Sequence, residues 1–124
     1  MKENSLESVK KIISQEGFFE AVLSSVNDWD RALDERDDAK FDQAWSNSFE
    51  EVKALKYPSA GDALAVTEIR EFVFKKVFSL VQNSEISGYI SDDIGLVADS
   101  ISKSANIKWV DKLFESYRSG CFPK

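Results

Sequence analysis

Asp62-Ala63-Leu64-Ala65-Val66-Thr67-Glu68-Ile69-Arg70-Glu71-Phe72-Val73-Phe74-Lys75-Lys76-Val77-Phe78-Ser79-Leu80-Val81-Gln82 is the stretch whose reading decides the fold. Val66, Ile69, Val73, Val77 and Leu80 recur at helical spacing, and Phe72, Phe74, Phe78 and Val81 widen the apolar stripe almost around the circumference. Such a pattern predicts the central, most buried helix of the protein. Taken alone, Phe72 to Phe78 also reads as a strand, being rich in aromatic and β-branched residues. The length of the run and its lack of internal turn residues select the helix.

On the N-terminal side of this run, Tyr57-Pro58-Ser59-Ala60-Gly61 stops the preceding helix, because proline drives the residue before it out of the helical region. Ser59 with Asp62 then opens the long helix. Before that stop, Phe41, Trp45, Ser48 or Phe49, Val52 and Leu55 form a helical stripe that Asp37 or Asp38 can cap. Further upstream, Phe19, Val22, Val26, Trp29 and Leu33 read as one amphipathic helix. The chain opens on a short helix carrying Leu6, Val9, Ile12 and Ile13, started by an Asn4/Glu7 capping box and ended at Gly17.

C-terminal to the long helix, Asn83 to Ile90 has no helical period and reads as a loop with a short extended piece. Ser91 is expected to cap the next helix, with Asp92 and Asp93 in its first turn and Ile94, Val97, Ala98 and Ile101 inward. Trp109, Val110, Leu113, Phe114 and Tyr117 mark a last helix, stopped at Gly120. No repeat, linker or low-complexity segment interrupts the 124 residues. The expectation is a single all-α domain, a bundle of five to six helices over residues 1–124.

The formal charge of -6 is unevenly spread. Between Asp28 and Glu51 stand nine acids (Asp28, Asp30, Asp34, Glu35, Asp37, Asp38, Asp42, Glu50, Glu51) against three bases, Arg31, Arg36 and Lys40. That segment therefore carries the whole net charge. Nucleic acid and anionic membranes are poor partners for it, since binding either requires Lys and Arg to neutralise negative charge. A basic protein suits it better. Asp30, Asp34, Asp37, Asp38 and Asp42 cluster around one helix end, where their fields add and steer a cationic partner. Tyr89, Asp92 and Asp93 form a second candidate patch, with Tyr89 either an interface anchor or a core residue. Trp29 and Trp45 fit the helical stripes as core.

Catalysis is not expected. The sequence contains no histidine, which removes the commonest general base and zinc ligand. Cys121 is the lone cysteine, without a partner for a disulfide or a base to activate it. Asp28-Trp29-Asp30 begins a calcium-loop pattern and does not complete it, and the Glu-x-x-His of di-iron bundles is missing. No metal or cofactor is expected. The N-terminus lacks the apolar region of a signal peptide and no apolar run approaches a membrane span, so a cytoplasmic location is expected.

Gly88-Tyr89-Ile90-Ser91-Asp92-Asp93-Ile94-Gly95-Leu96-Val97-Ala98-Asp99, followed by Trp109-Val110-Asp111-Lys112-Leu113-Phe114 and Tyr117-Arg118-Ser119-Gly120-Cys121-Phe122-Pro123, resembles the C-terminal part of small helical bacterial immunity proteins. These are cytoplasmic antidotes of bacteriocin and contact-dependent growth inhibition toxins. The resemblance covers about the last third of the chain. It implies a protein that binds and blocks a cognate toxin domain, often a nuclease with a basic cleft. The rival expectation is a helical adaptor or scaffold that self-associates as a homo-oligomer through an apolar patch.

Overall fold

The computed structural model describes residues 5–124 and is helical throughout, with no strand among them. Its seven helices run α1 (Leu6–Ile13), α2 (Phe18–Ser24), α3 (Trp29–Arg36), α4 (Ala39–Lys53), α5 (Ala60–Val81), α6 (Ser84–Ser102) and α7 (Lys108–Arg118). Several starts follow the sequence expectation. Asp38 caps α4 by accepting from the Lys40 amide at 3.3 Å, and Ser59 caps α5 by accepting from the Asp62 amide at 3.1 Å. At α1 the cap is Ser5, which accepts from the Ser8 amide at 3.1 Å. The proposed Asn4 half of a capping box lies outside the described residues.

Several expectations are corrected, beginning with the helix count: the described residues form seven helices where five to six were expected. The stripe from Phe19 to Leu33 belongs to two helices, α2 and α3. Ser25 ends the first by donating its hydroxyl to the Val22 carbonyl at 2.6 Å. Asp28 starts the second by accepting from the Arg31 amide at 3.1 Å. Spacing alone misses this break because the short turn leaves Phe19, Val22, Val26 and Trp29 facing one core.

The larger correction concerns Asn83 to Ile90, which is the first part of a helix rather than a loop. Asn83 caps α6 by accepting from the Ile86 amide at 3.0 Å, and the Ser87 hydroxyl donates back to the Asn83 carbonyl at 2.7 Å. Ser91 is therefore not a cap. It sits inside α6 and donates its hydroxyl to the Arg70 carbonyl on α5 at 3.0 Å. Serine and glycine are weak helix formers in isolation. Here Ser91 and Gly95 lie directly against Arg70 of α5. At Gly95 a Cβ would lie 2.7 Å from the Arg70 Cδ, so a larger residue there has to displace the Arg70 side chain.

This close packing makes α6 the central helix, in place of α5. Ile86, Ile90, Ile94, Leu96, Val97 and Ala98 are all buried on it. By contrast, α5 buries only the stripe Val66, Ile69, Val73 and Val77, while Leu64, Phe72, Phe74, Phe78 and Leu80 are exposed. In α4 the inward residue is Ser48, with Phe49 outside. After α7, Gly120 adopts a positive φ of 79°, a left-handed stop that favours glycine. The tail then folds back so that Phe122 is buried against Trp29, ring centroids 5.0 Å apart.

Candidate functional site

The most polar part of the interior lies where α3, α4, α6 and α7 meet. Asp93 is fully buried, and its two carboxylate oxygens accept four hydrogen bonds. Arg36 approaches from the end of α3 in a bidentate pair, Nη2 to Oδ1 and Nη1 to Oδ2, both at 2.8 Å. Trp45 Nε1 donates to Oδ1 at 2.9 Å, and the Tyr117 hydroxyl donates to Oδ2 at 2.5 Å. Arg36 Nη1 also reaches the Pro123 carbonyl at 3.3 Å. The guanidinium lies over the rings of Phe41, Phe122 and Tyr89, at 4.4, 5.0 and 5.3 Å from their centroids. These π faces support a cation whose Nε has no hydrogen-bond partner.

Burial works against the Arg36 charge, but the charge and hydrogen bonds of Asp93, with Tyr117 behind it, outweigh this and raise its pKa above the ordinary value. The phenols respond in one direction. Burial and then Asp93 push Tyr117 well above its usual value. Burial and the nearby Asp37 and Glu85 raise Tyr89. Burial and the hydrogen bond to Asp99 push Tyr57 up to about 12.

These shifts predict a loss of stability at alkaline pH. Below the ordinary tyrosine value near 10, all three phenols hold their protons in both states. Between there and about 12, the unfolded chain releases protons that the folded chain retains. The folded state then binds more protons, so stability falls as pH rises through this window. Tyrosinate absorbance is expected to appear late and in step with loss of helical circular dichroism. Complete ionisation near pH 10 with the helices intact would contradict these environments.

Above the buried pair the surface opens into a cleft of about 160 Å³. Its walls are Phe41, Trp45 and Tyr89, and Asp37, Asp42 and Asp92 stand around it, with Arg36 and Asp93 beneath. Arg36 and Asp93 neutralise each other, and among the described residues Asp37 and Asp42 have no ion-pair partner. Asp92 pairs with Arg70 at 2.9 Å, both side chains being half exposed. Four of the sequence-selected residues, Asp37, Asp42, Tyr89 and Asp92, thus share one concavity although they come from two separate segments.

Asp30, Asp34 and Asp38 are exposed on α3 and at the α4 cap, and they do not line the cleft. Asp93 differs most from expectation: it is a core residue in mid-helix, with no surface to offer a partner. The residue missed by sequence reading is Arg36, which stands there only among the three bases of the acidic segment. The signal was present: Arg36 continues the Trp29, Ala32, Leu33 stripe, and Asp93 interrupts an apolar run. Opposite charges at two inward positions indicate a buried pair.

The buried polar groups tie four helices together beneath an aromatic and acidic cleft. Comparison with protein families specifies the class: the model for Immunity protein PIM1 matches residues 8–124, and the chain belongs to that family. Membership implies that it binds and neutralises a partner toxin. A search of curated proteins finds no match. Among the described residues no helix is long and apolar enough to cross a membrane.

Proposed function

We propose that this immunity protein neutralises a nuclease toxin by seating its acidic cleft on the basic surface the toxin uses for phosphates. The observation that carries the proposal is the convergence of Asp37, Asp42 and Asp92 around walls of Phe41, Trp45 and Tyr89. Carboxylates beside aromatic faces suit a lysine or arginine side chain, which gains ion pairing and cation–π contact together. Arg36, held in the same cluster by Asp93 and three rings, is an internal example of that chemistry. Asp30, Asp34 and Asp38 lie outside the cleft and act in this reading by long-range attraction. Such blocking needs no catalysis by the immunity protein. A bacteriocin or contact-dependent growth inhibition toxin is the proposed partner, met in the cytoplasm.

The test is association with the cognate toxin domain, followed across ionic strength. The association rate is expected to fall about tenfold or more between low and high salt, with toxin nuclease activity blocked by the complex. A rate independent of salt would remove the electrostatic surface from the mechanism.

A further inference from the structure

A second concavity adjoins the acidic cleft, in a groove with α4 on one side, Arg70 of α5 on the other and α6 as its floor. It encloses about 290 Å³, against about 160 Å³ for the cleft. Trp45 and Asp92 border both, so the two spaces form one continuous surface divided by these side chains. The aromatic side of the divide is fixed in place. Trp45 is held by its Nε1 donation to Asp93 at 2.9 Å, and Phe49, one turn further along α4, lies nearly parallel to it with centroids 5.6 Å apart.

The floor is one face of α6, where Asp92, Gly95, Leu96 and Asp99 stand at helical spacing. Gly95 adds no side chain to it, and Arg70 lies across the glycine while pairing with Asp92 at 2.9 Å. Asp99 is half-buried. One of its carboxylate oxygens accepts the Tyr57 hydroxyl, and among the described residues it has no ion-pair partner. With Arg70 and Asp92 offsetting each other, the groove is left with one uncompensated carboxylate beside two aromatic rings.

We infer, resting on the toxin reading for the owner of the side chain, that this groove is a second subsite and takes an arginine of the toxin. A guanidinium is planar, stacks on aromatic rings and donates in its own plane, so it can lie against Trp45 or Phe49 while reaching Asp99. The lysine ammonium suits the groove less. It is a strongly hydrated point charge and gives up more on entering a space floored by buried Gly95 and Leu96. Two adjoining concavities then read two cations of the toxin at once, a stricter requirement than either sets alone.

N-acetyl-arginine amide, titrated into the isotope-labelled full chain at constant chloride and followed amide by amide by NMR, tests the subsite, with N-acetyl-lysine amide as the comparison. The amides of Phe49, Gly95 and Leu96 report on the groove, and those of Asp37, Asp42 and Tyr89 on the cleft. Groove shifts are expected to saturate in the millimolar range, with arginine bound about threefold or more tighter than lysine. Phe49→Ala and Asp99→Asn are each expected to weaken that binding about threefold or more with unchanged helical circular dichroism, since the asparagine keeps an acceptor for Tyr57. In the toxin complex, Asp99→Asn is expected to speed dissociation about threefold or more. Groove shifts without cleft shifts would uphold the subsite and count against the cleft. Cleft shifts without groove shifts would overturn the subsite and leave the toxin reading standing. Absence of shifts in both, equal binding of lysine, or indifference to both variants would overturn it as well, and unchanged toxin dissociation would overturn the toxin as the source of the arginine.

Discussion

Asp93→Ala is expected to lower the free energy of unfolding by about 3–5 kcal/mol, read from urea denaturation followed by circular dichroism. The reason is what the change leaves behind. Arg36 is 95% buried, and without Asp93 its charge has only the Pro123 carbonyl and the surrounding rings. Tyr117 and Trp45 lose the acceptor for their hydrogen bonds at the same time. Losing one partner of a buried pair costs far more than the pair itself contributes, because the remaining ion keeps its desolvation penalty. For a domain whose total stability is about 5–15 kcal/mol, such a loss leaves a large unfolded fraction at the lower end.

A second variant separates this cause from a simple cavity. Arg36→Met combined with Asp93→Leu removes both charges while keeping most of the volume. It is expected to be clearly more stable than Asp93→Ala, since no uncompensated ion remains. If the double variant is as unstable as the sum of its parts, the buried charge is not the cause. The pair also links regions far apart in sequence: α3 through Arg36, α4 through Trp45, α6 through Asp93 and α7 through Tyr117. Its loss is therefore expected to loosen the walls of the cleft above it.

The same cluster shows what could be read from the sequence and what could not. Helices α4, α5 and α7 were readable because each has a strong stripe bounded by a cap or a stop: Asp38, Ser59 and Gly120. The first part of α6 was not readable, since Ser84, Ser87 and Gly88 favour turns locally and their helical state depends on packing against α5. Burial was misassigned for a related reason. Phe72, Phe74 and Phe78 made α5 look enclosed, whereas the residues that lie directly against Arg70 of α5 are the small Ser91 and Gly95 on α6. At the site, acidity and the aromatic at position 89 were visible as residue types. Their convergence was not, because it depends on α4 crossing α6. Asp92 and Asp93 are adjacent in sequence, yet successive positions on a helix point about 100° apart. One therefore pairs with Arg70 at the surface while the other enters the core.

That separation guides the test of the interface. Asp37→Lys with Asp42→Lys is expected to weaken the toxin complex at least a hundredfold, mostly through faster dissociation. Close charge pairs across an interface contribute about 1.5–7 kcal/mol in double-mutant cycles, and this variant replaces attraction with repulsion at two of them. Both aspartates are exposed and outside the Arg36–Asp93 pair, so stability is expected to change by only about 1 kcal/mol, largely from Asp42 leaving the first turn of α4. Asp30→Lys with Asp34→Lys applies the same change in net charge on α3, away from the cleft. It is expected to slow association while leaving dissociation nearly unchanged, as a steering charge does. Equal effects of the two pairs on dissociation would mean that the cleft is not the contact and that the acidic segment acts by its field alone. A selective effect of the first pair places the toxin's basic side chain between Tyr89 and Trp45, directly over the buried pair that holds those walls.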